Sequence, residues 1–304
     1  MLPSLLVRTL IAASVAVLAG CAAPDAGRPA AGQDGFAQRL FTRYVAFPQA
    51  GVERTLIIPG KLQIPAEAAA AGKVPAVIII HGTGGIDSRG ASMAAALQRR
   101  GIATLEIDQW SPRGVTSAAN RPRDPNEGLP DVYGAFKVLA ADPRIDAARI
   151  GITGFSWGGV MSILAAQEAA NAKYLGTGQR FAAHLPLYPV CWIYNAPGLP
   201  PLTRLTGAPV RILVGADDHY EGGPQSCPDM LQRLPEADRR AVSVKVYPNA
   251  THGFDISEAC TPAYQDPAAN QGKGGLGQSC PNPAAREDSR REAVEFFGRA
   301  FGLR

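Results

Sequence analysis

The chain has 304 residues, of which 46% are hydrophobic and 18% are charged, and its formal net charge is +4. This length suits one large α/β domain, and the apolar fraction excludes a wholly disordered chain. The small basic excess contains no dense Lys/Arg run, so no nucleic-acid partner is predicted. A multi-pass membrane protein is excluded, because only one stretch approaches the length of a bilayer span.

The N-terminus predicts an exported protein. An apolar run at 10–19 follows Arg8 and ends in Leu18-Ala19-Gly20-Cys21, which is typical of a secretory signal. This ending resembles the lipobox of bacterial lipoproteins, which implies a signal peptide at 1–20 and a lipidated Cys21 anchoring the chain to the cell envelope, on its periplasmic or surface face. Residues 21–36 read as a flexible tether before a domain at 37–304. The alternative is an ordinary signal peptide cut nearby, with Cys21 incidental.

The rest of the chain alternates predicted strands and helices. The run 74–80 (VPAVIII) is apolar and β-branched, which is typical of a buried parallel strand, and a Gly-rich segment follows it. Strands separated by helices predict one mostly parallel sheet with helices on both faces and no second domain. The predicted strands cover 74–80, 102–107, 149–153, 181–187, 210–214 and 242–247, and the predicted helices cover 91–100, 129–141, 158–170 and 290–301.

The cysteine count agrees with export. Without Cys21, four cysteines remain, and an even number in an exported protein indicates two disulfides. Three pairings are possible. The Gly-, Pro-, Gln- and Asn-rich segment between Cys260 and Cys280 favours a bridge there, which leaves Cys191 and Cys227 as the second pair. The alternative is that some are free thiols. No CxxC or Cys/His spacing is present, so no zinc site is predicted.

A G-x-S-x-G motif at 154–158 lies directly after a predicted strand and directly before a predicted helix. A sharp strand-to-helix turn projects a serine hydroxyl out of the sheet, and glycine tolerates the crowding on either side. The motif therefore predicts Ser156 as a nucleophile. The backbone N–H of Trp157 would stand at a helix N-terminus, where an oxyanion is stabilised.

A nucleophilic serine needs a base, and the base needs an acid that orients it. Among the four histidines, only His252 follows the last predicted strand and satisfies the chain order Ser…Asp…His. His184 lies inside an apolar strand and is interpreted as a core histidine. The acid should follow the preceding strand, where Asp217 and Asp218 are both available and spacing alone does not choose. Asp108 is a weaker candidate because it precedes the serine.

From about residue 45 to the C-terminus, the chain resembles the dienelactone hydrolase family of the α/β-hydrolase fold. The resemblance implies a single-domain α/β-hydrolase fold with a Ser-His-Asp triad. The family's acid stands last in Gly-x-x-Asp, which selects Asp218, and the family's oxyanion hole corresponds to the N–H groups of Thr83 and Trp157. The matching segments are 81–85 (HGTGG), 142–146 (DPRID), 149–151 (RIG), 154–159 (GFSWGG), 215–218 (GADD) and 251–255 (THGFD).

The chain also departs from the narrower family pattern. Dienelactone hydrolases in the narrow sense use a cysteine nucleophile, so Ser156 favours a serine esterase. The segment 258–288 resembles an insertion. Arg113 stands in a segment like the Asp-x-x-x-Pro-Arg-Gly of a family subgroup and could bind an anionic substrate group or tie down the loop 111–128. Trp110 could line the substrate pocket, as could Trp192 and Tyr220, or each could be buried packing.

Together these patterns predict a serine hydrolase that cleaves a small carboxylic ester or lactone through an acyl-enzyme, without a cofactor or metal. A nucleotide site is not predicted, because 81–85 lacks both the G-x-G-x-x-G spacing and a Gly-Lys-Ser/Thr ending. Two alternatives stay open. One is a non-catalytic surface lipoprotein that binds a ligand with the same fold, and the other is a peptidase or acyltransferase with the same triad.

Overall fold

The computed structural model describes residues 39–303, except 54, 118–119, 197–201 and 203. The predicted signal peptide, Cys21 and the tether at 21–36 lie outside the described residues. The described residues belong to one compact unit. Among their helices, none combines the length and apolar character that a bilayer crossing requires.

One sheet organises the described residues. Its strands are β1 (Leu40–Pro48), β2 (Ile57–Pro65), β3 (Val74–Ile80), β4 (Ala103–Ile107), β5 (Ile145–Phe155), β6 (Ala183–Leu187), β7 (Val210–Gly215) and β8 (Val242–Tyr247). They lie in the order β1-β2-β4-β3-β5-β6-β7-β8. The strands β3 to β8 are mutually parallel, whereas β2 is antiparallel to both β1 and β4. The predicted α/β-hydrolase architecture, with a mostly parallel sheet, is confirmed.

Helices cover both faces of this sheet. They are α1 (Ala66–Ala70), α2 (Ser88–Gln98), α3 (Leu129–Ala141), α4 (Trp157–Leu164), α5 (Glu168–Leu175), α6 (Ser226–Arg233), α7 (Glu236–Arg239), α8 (Ala269–Gly272) and α9 (Pro283–Ala300). Successive residues of β3 point to opposite faces. Val77 and Ile79 pack in a core with residues of α2 and α9, while Ile78 and Ile80 pack in a second core with residues of α3.

Several elements differ from the sequence-based prediction. β1 was not predicted because most of its side chains are exposed and show no apolar alternation. β2 was not predicted because Pro59 and Gly60 interrupt its apolar pattern. The predicted helix 158–170 is two helices, since Gln167 is extended and bridges Leu205. The last helix starts at Pro283, inside the predicted insertion, because the Asn282 side chain accepts the N–H of Ala285 and caps it there.

The described part of the chain contains two disulfides, Cys191–Cys227 and Cys260–Cys280, which are the two pairs that the sequence favoured. The first joins the segment after β6 to α6. The second closes the predicted insertion, which carries a hairpin of β9 (Tyr264–Asp266) and β10 (Gly275–Gly277).

Candidate active site

Ser156 occupies a sharp turn between β5 and α4. Its backbone has φ 53° and ψ −109°, a conformation that non-glycine residues rarely adopt and that stores strain. The flanking glycines are required by close backbone approach. A β-carbon on Gly154 would lie 2.4 Å from the backbone of Gly158, and one on Gly158 would lie 2.3 Å from the carbonyl oxygen of Ile80. The G-x-S-x-G pattern is thus a steric condition for this turn.

His252 and Asp218, the predicted base and acid, are in direct contact. The His252 Nδ1 and the Asp218 Oδ2 are 2.8 Å apart, and both residues are buried. Their loops pack directly, because the Asp217 N–H donates to the Ala250 carbonyl at 3.0 Å and a β-carbon on Gly215 would lie 2.1 Å from that oxygen. The Asp217 side chain is exposed. Of the two adjacent aspartates, the geometry therefore assigns the orienting contact to Asp218.

The end of β6 connects the serine to the histidine. The Ser156 N–H donates to the Leu187 carbonyl at 3.0 Å, and the next residue, Tyr188, packs its ring edge-on against His252 with centroids 4.7 Å apart. Among the described residues, no hydrogen bond joins the Ser156 hydroxyl to the His252 ring. Hydrogen bonds between catalytic groups often shorten only once substrate is bound.

The two predicted oxyanion donors flank the serine. Trp157 is the first residue of α4, so its N–H has no partner within the helix. Thr83 is half-buried in the loop after β3. A β-carbon on the preceding Gly82 would lie 3.7 Å from Ser156 Cβ, so this loop lies beside Ser156.

Trp110 supports the Thr83 loop. Its indole N–H donates to the Thr83 carbonyl at 2.9 Å, and its ring lies 5.0 Å from His81 and 5.7 Å from Trp157, centroid to centroid. The residue is buried, so of the two readings left open by the sequence, packing is favoured. Asp108 accepts the N–H groups of Trp110 and the next residue, so this carboxylate caps a turn and does not contact His252.

The contacts of Arg113 favour a structural role over the anion-binding role. Its guanidinium donates to both carboxylate oxygens of Asp131 at 2.8 and 3.0 Å and to the carbonyl oxygens of Gln109 and Glu127. The Asp131 side chain is fully buried, so it needs this countercharge. Arg113 ties down the long loop, which is the alternative that the sequence had left open.

The other two buried histidines are structural. The Nδ1 of His81 bonds to the Gly82 carbonyl at 2.8 Å, and its Nε2 accepts the Gln109 N–H at 3.1 Å, so both ring nitrogens are occupied. His184 is fully buried, and its Nδ1 bonds to the Ser162 carbonyl at 2.9 Å. Burial lowers the pKa of His184 to about 3, so the ring is neutral at physiological pH.

The predicted insertion is connected to His252 through Tyr220. The Tyr220 ring lies 4.4 Å from that of His252, and its hydroxyl donates to Asp266 of β9 and lies 3.4 Å from the Tyr264 hydroxyl. Tyr220 was a candidate from the sequence, whereas Tyr264 was missed because an insertion offers no family motif.

Arg121 was also missed. Its guanidinium lies 4.7 Å from the ring centroid of Trp157, and its buried Nε has no hydrogen-bond partner among the residues that the structure describes. Burial lowers the pKa of this guanidinium, and the negative charge of Asp266 offsets part of that decrease. A lone arginine in a polar loop gives no sequence signal, because the contact depends on how the loop folds back.

Within the described residues, one trio of possible metal ligands comes together: Cys191, Glu221 and Cys227. The two sulfurs form a disulfide and are not free thiolates. Glu221 instead accepts the N–H groups of Cys191 and Trp192. Burial, followed by the charge of Asp218, raises the pKa of Glu221 to about 8.

Comparison with known proteins gives the family. A sequence model of the family described as "Dienelactone hydrolase family" matches residues 58–301. The chain belongs to this family. Membership of this family supports hydrolase activity of the esterase kind. The matched range, 58–301, includes every residue of the site described above.

Two curated proteins and one solved structure show the extent of the similarity. The chain is 31% identical over 113 residues to a "Probable 2-oxo-3-(5-oxofuran-2-ylidene)propanoate lactonase" of Bradyrhizobium sp, covering 34% of this chain and 46% of that protein's length. It is 26% identical over 228 residues to a "Putative carboxymethylenebutenolidase" of Methylorubrum extorquens, covering 71% and 74%. The dienelactone hydrolase-like promiscuous phosphotriesterase P91 from metagenomic libraries shares the fold, with a TM-score of 0.57, 18% identity and coverage of 86% and 98%.

Proposed function

We propose that this chain is a serine hydrolase that cleaves a small carboxylic ester or lactone through an acyl-enzyme intermediate. The observation that carries the proposal is the buried 2.8 Å contact between His252 and Asp218 next to the strained turn at Ser156. Family membership supports the reaction class. The two curated relatives, named as a lactonase and a carboxymethylenebutenolidase, support a lactone or ester as the substrate.

The proposed reaction begins with attack of the Ser156 hydroxyl oxygen on the ester carbonyl. The Nε2 of His252 takes the serine proton, and Asp218 stabilises the resulting imidazolium through Nδ1–H. The N–H groups of Thr83 and Trp157 stabilise the negative oxygen of the tetrahedral intermediate. The C–O bond to the alcohol then breaks, and His252 returns its proton to the leaving oxygen.

The second half releases the acyl group. Water attacks the acyl-enzyme carbonyl while His252 again takes a proton, and collapse of the intermediate frees the acid and restores Ser156. In a lactone, the alcohol and acid belong to one molecule, so the product is a single hydroxy acid. The proposed steps use no metal or cofactor.

Labelling with a fluorophosphonate probe tests this proposal. The probe reacts with activated serines, and the modified peptide is identified by mass spectrometry. We expect labelling of the full chain at Ser156 and none in folded Ser156→Ala, together with turnover of simple esters or lactones. A folded chain that resists the probe would favour the non-catalytic binding protein. Turnover of peptides or acyl transfer to alcohols, without ester hydrolysis, would favour the peptidase or acyltransferase.

We also propose that the chain is exported and anchored to the cell envelope through a lipid on Cys21. The two disulfides support an oxidising compartment. When bacteria that express the full chain are grown with an alkyne-tagged fatty acid, the chain should become labelled. It should also be recovered in the membrane fraction. The Cys21→Ser variant should lose both properties, and equal labelling of that variant would contradict the anchor.

A further inference from the structure

A buried polar network lies beneath the strand ends that carry the site. Arg89, in the first turn of α2, pairs with Asp87 through Nε at 2.9 Å and donates from Nη1 to the Tyr188 hydroxyl at 3.3 Å. The Tyr188 hydroxyl in turn donates to Asp255 at 2.6 Å. Tyr188 and Asp255 are buried, and the Arg89 side chain is only 11% exposed. The network links the loop after β3 to the loop after β8.

The Arg89 guanidinium also packs against three residues that adjoin the proposed machinery in sequence. A β-carbon on Gly82 would lie 3.5 Å from Nη2, and one on Gly253 would lie 3.4 Å from Nη1. The guanidinium centre lies 5.6 Å from the ring centroid of Phe155. Gly82 precedes Thr83, Gly253 follows His252, and Phe155 precedes Ser156. The Arg89 side chain therefore lies against a sequence neighbour of each of these three proposed site residues.

The chemistry of arginine suits this place. A planar guanidinium keeps its charge and offers five N–H donors in a fixed geometry, so it can hold several groups at once. Displacement of reacting groups by about 1 Å can lower a rate by about 100-fold. Loss of the contacts by which Arg89 holds these loops would therefore lower the rate of the chemical step.

We propose that Arg89 is a positioning residue for the acyl-transfer reaction, holding His252 and the Thr83 loop in register with Ser156. This inference rests on the proposed function. Arg89 acts through Gly82, Gly253 and Tyr188, and it is not itself assigned a contact with substrate.

A structurally matched arginine provides the control. Arg144 pairs with Asp142 as Arg89 pairs with Asp87: in each, the carboxylate two residues earlier accepts the arginine N–H at 3.0 Å and Nε at 2.9 Å. Arg144 precedes β5, whereas Ser156 follows it, so Arg144 and Ser156 lie at opposite ends of this strand. Its substitution removes a similar ion pair without touching the site.

The test compares Arg89→Gln and Arg144→Gln in the full chain. The measurements are kcat and KM for 4-nitrophenyl acetate and the rate of fluorophosphonate labelling. We expect Arg89→Gln to lower kcat and the labelling rate by about 10- to 100-fold, with KM changed by less than about 3-fold. Arg144→Gln should leave both rates within about 2-fold. Arg89→Lys should recover part of the loss, because the charge remains.

Near-ultraviolet circular dichroism establishes whether each variant is folded. If Arg89→Gln does not fold, Tyr188→Phe takes its place, because it removes the hydroxyl that joins Arg89 to Asp255 and keeps the ring against His252. The same rate loss is expected. Rates within 2-fold of the parent in the folded variant would overturn the proposal, as would an equal loss in Arg144→Gln.

A readout that needs no turnover separates this proposal from the proposed function. The downfield NMR resonance of the His252 Nδ1 proton reports the hydrogen bond from His252 to Asp218, so it measures the position of the ring without any reaction. We expect this resonance to shift or broaden in folded Arg89→Gln and to stay unchanged in Arg144→Gln, and an unchanged resonance in Arg89→Gln would overturn the inference. If the parent chain is not labelled by the probe, the serine hydrolase proposal fails, and this resonance still decides whether Arg89 positions His252.

Discussion

Asp218 and His252 are 34 residues apart in the sequence and meet in a 2.8 Å hydrogen bond in the buried part of the site. The neighbouring Asp217 is exposed and directs only its backbone N–H into this junction. The two aspartates are therefore adjacent in sequence but have different environments, which makes them a matched pair for mutagenesis.

We expect Asp218→Asn to lower kcat for ester hydrolysis by about 1,000-fold or more, because an amide can hold the imidazole in the wrong tautomer and cannot stabilise an imidazolium. Asp217→Asn should stay within about 2-fold of the parent. Steady-state kinetics with 4-nitrophenyl acetate measures both. Similar losses in the two variants would contradict the assignment of Asp218 as the orienting acid.

The backbone strain at Ser156 predicts a stability difference between two inactive variants. Glycine adopts positive φ without the steric penalty that alanine shares with serine. The free energy of unfolding of Ser156→Gly should therefore be about 1 kcal/mol higher than that of Ser156→Ala, even though glycine adds entropy to the unfolded chain. Urea denaturation of both variants gives the comparison. A less stable glycine variant would show that the strain at this turn is small.

The ion pair between Arg113 and Asp131 predicts a structural rather than a kinetic phenotype. Arg113→Gln leaves the fully buried Asp131 carboxylate without its countercharge, and breaking a buried pair typically costs about 3–5 kcal/mol of the free energy of unfolding. Denaturant unfolding measures this loss. KM for an anionic ester should change no more than KM for its neutral analogue. A selective rise in KM for the anionic ester would restore the substrate-binding role.

The buried His184 predicts sensitivity to mild acid. Its pKa is about 3 in the folded chain and about 6.5 when unfolded, so below pH 6.5 the unfolded chain binds the additional proton. The free energy of unfolding therefore decreases as pH falls from 6.5 toward 3, by about 1.4 kcal/mol per pH unit from this group.

Unfolding at pH 7.5 and pH 5 tests that sign. The parent should lose about 2 kcal/mol more than His184→Gln over this interval, because glutamine has no proton to take up. The comparison between the two chains cancels the carboxylates that they share. Equal losses would mean that His184 does not set the acid limit.

Much of the site could be predicted because local sequence patterns reflect local geometry. The G-x-S-x-G turn is a steric requirement of consecutive residues, and His252 follows directly from its place after the last strand. Asp218 could be separated from Asp217 only by resemblance to a family. Packing of the loops decides it physically, since Asp217 N–H is bound to Ala250 and the next side chain turns toward His252.

What the sequence left open or missed involves residues whose partners lie in other segments of the chain. Arg113 carried a family-like motif, but its side chain bonds to Asp131, which the sequence had placed in an unrelated helix. Arg89 and Tyr188 belong to no motif, and their meeting across 99 residues gave no periodic signal. The edge strand β1 was missed because its side chains are mostly exposed.

The sequence by itself determined the order of buried strands, the strand-to-helix turn at Ser156 and the succession of serine, aspartate and histidine at strand ends. These depend on apolar runs, on glycine and on short spacing, which act between near neighbours. Only the tertiary structure decided that Arg113 pairs with Asp131, that Asp218 contacts His252 and that Arg89 joins the loops. Such choices follow from burial and charge pairing between distant segments, and those become defined only when the chain has folded.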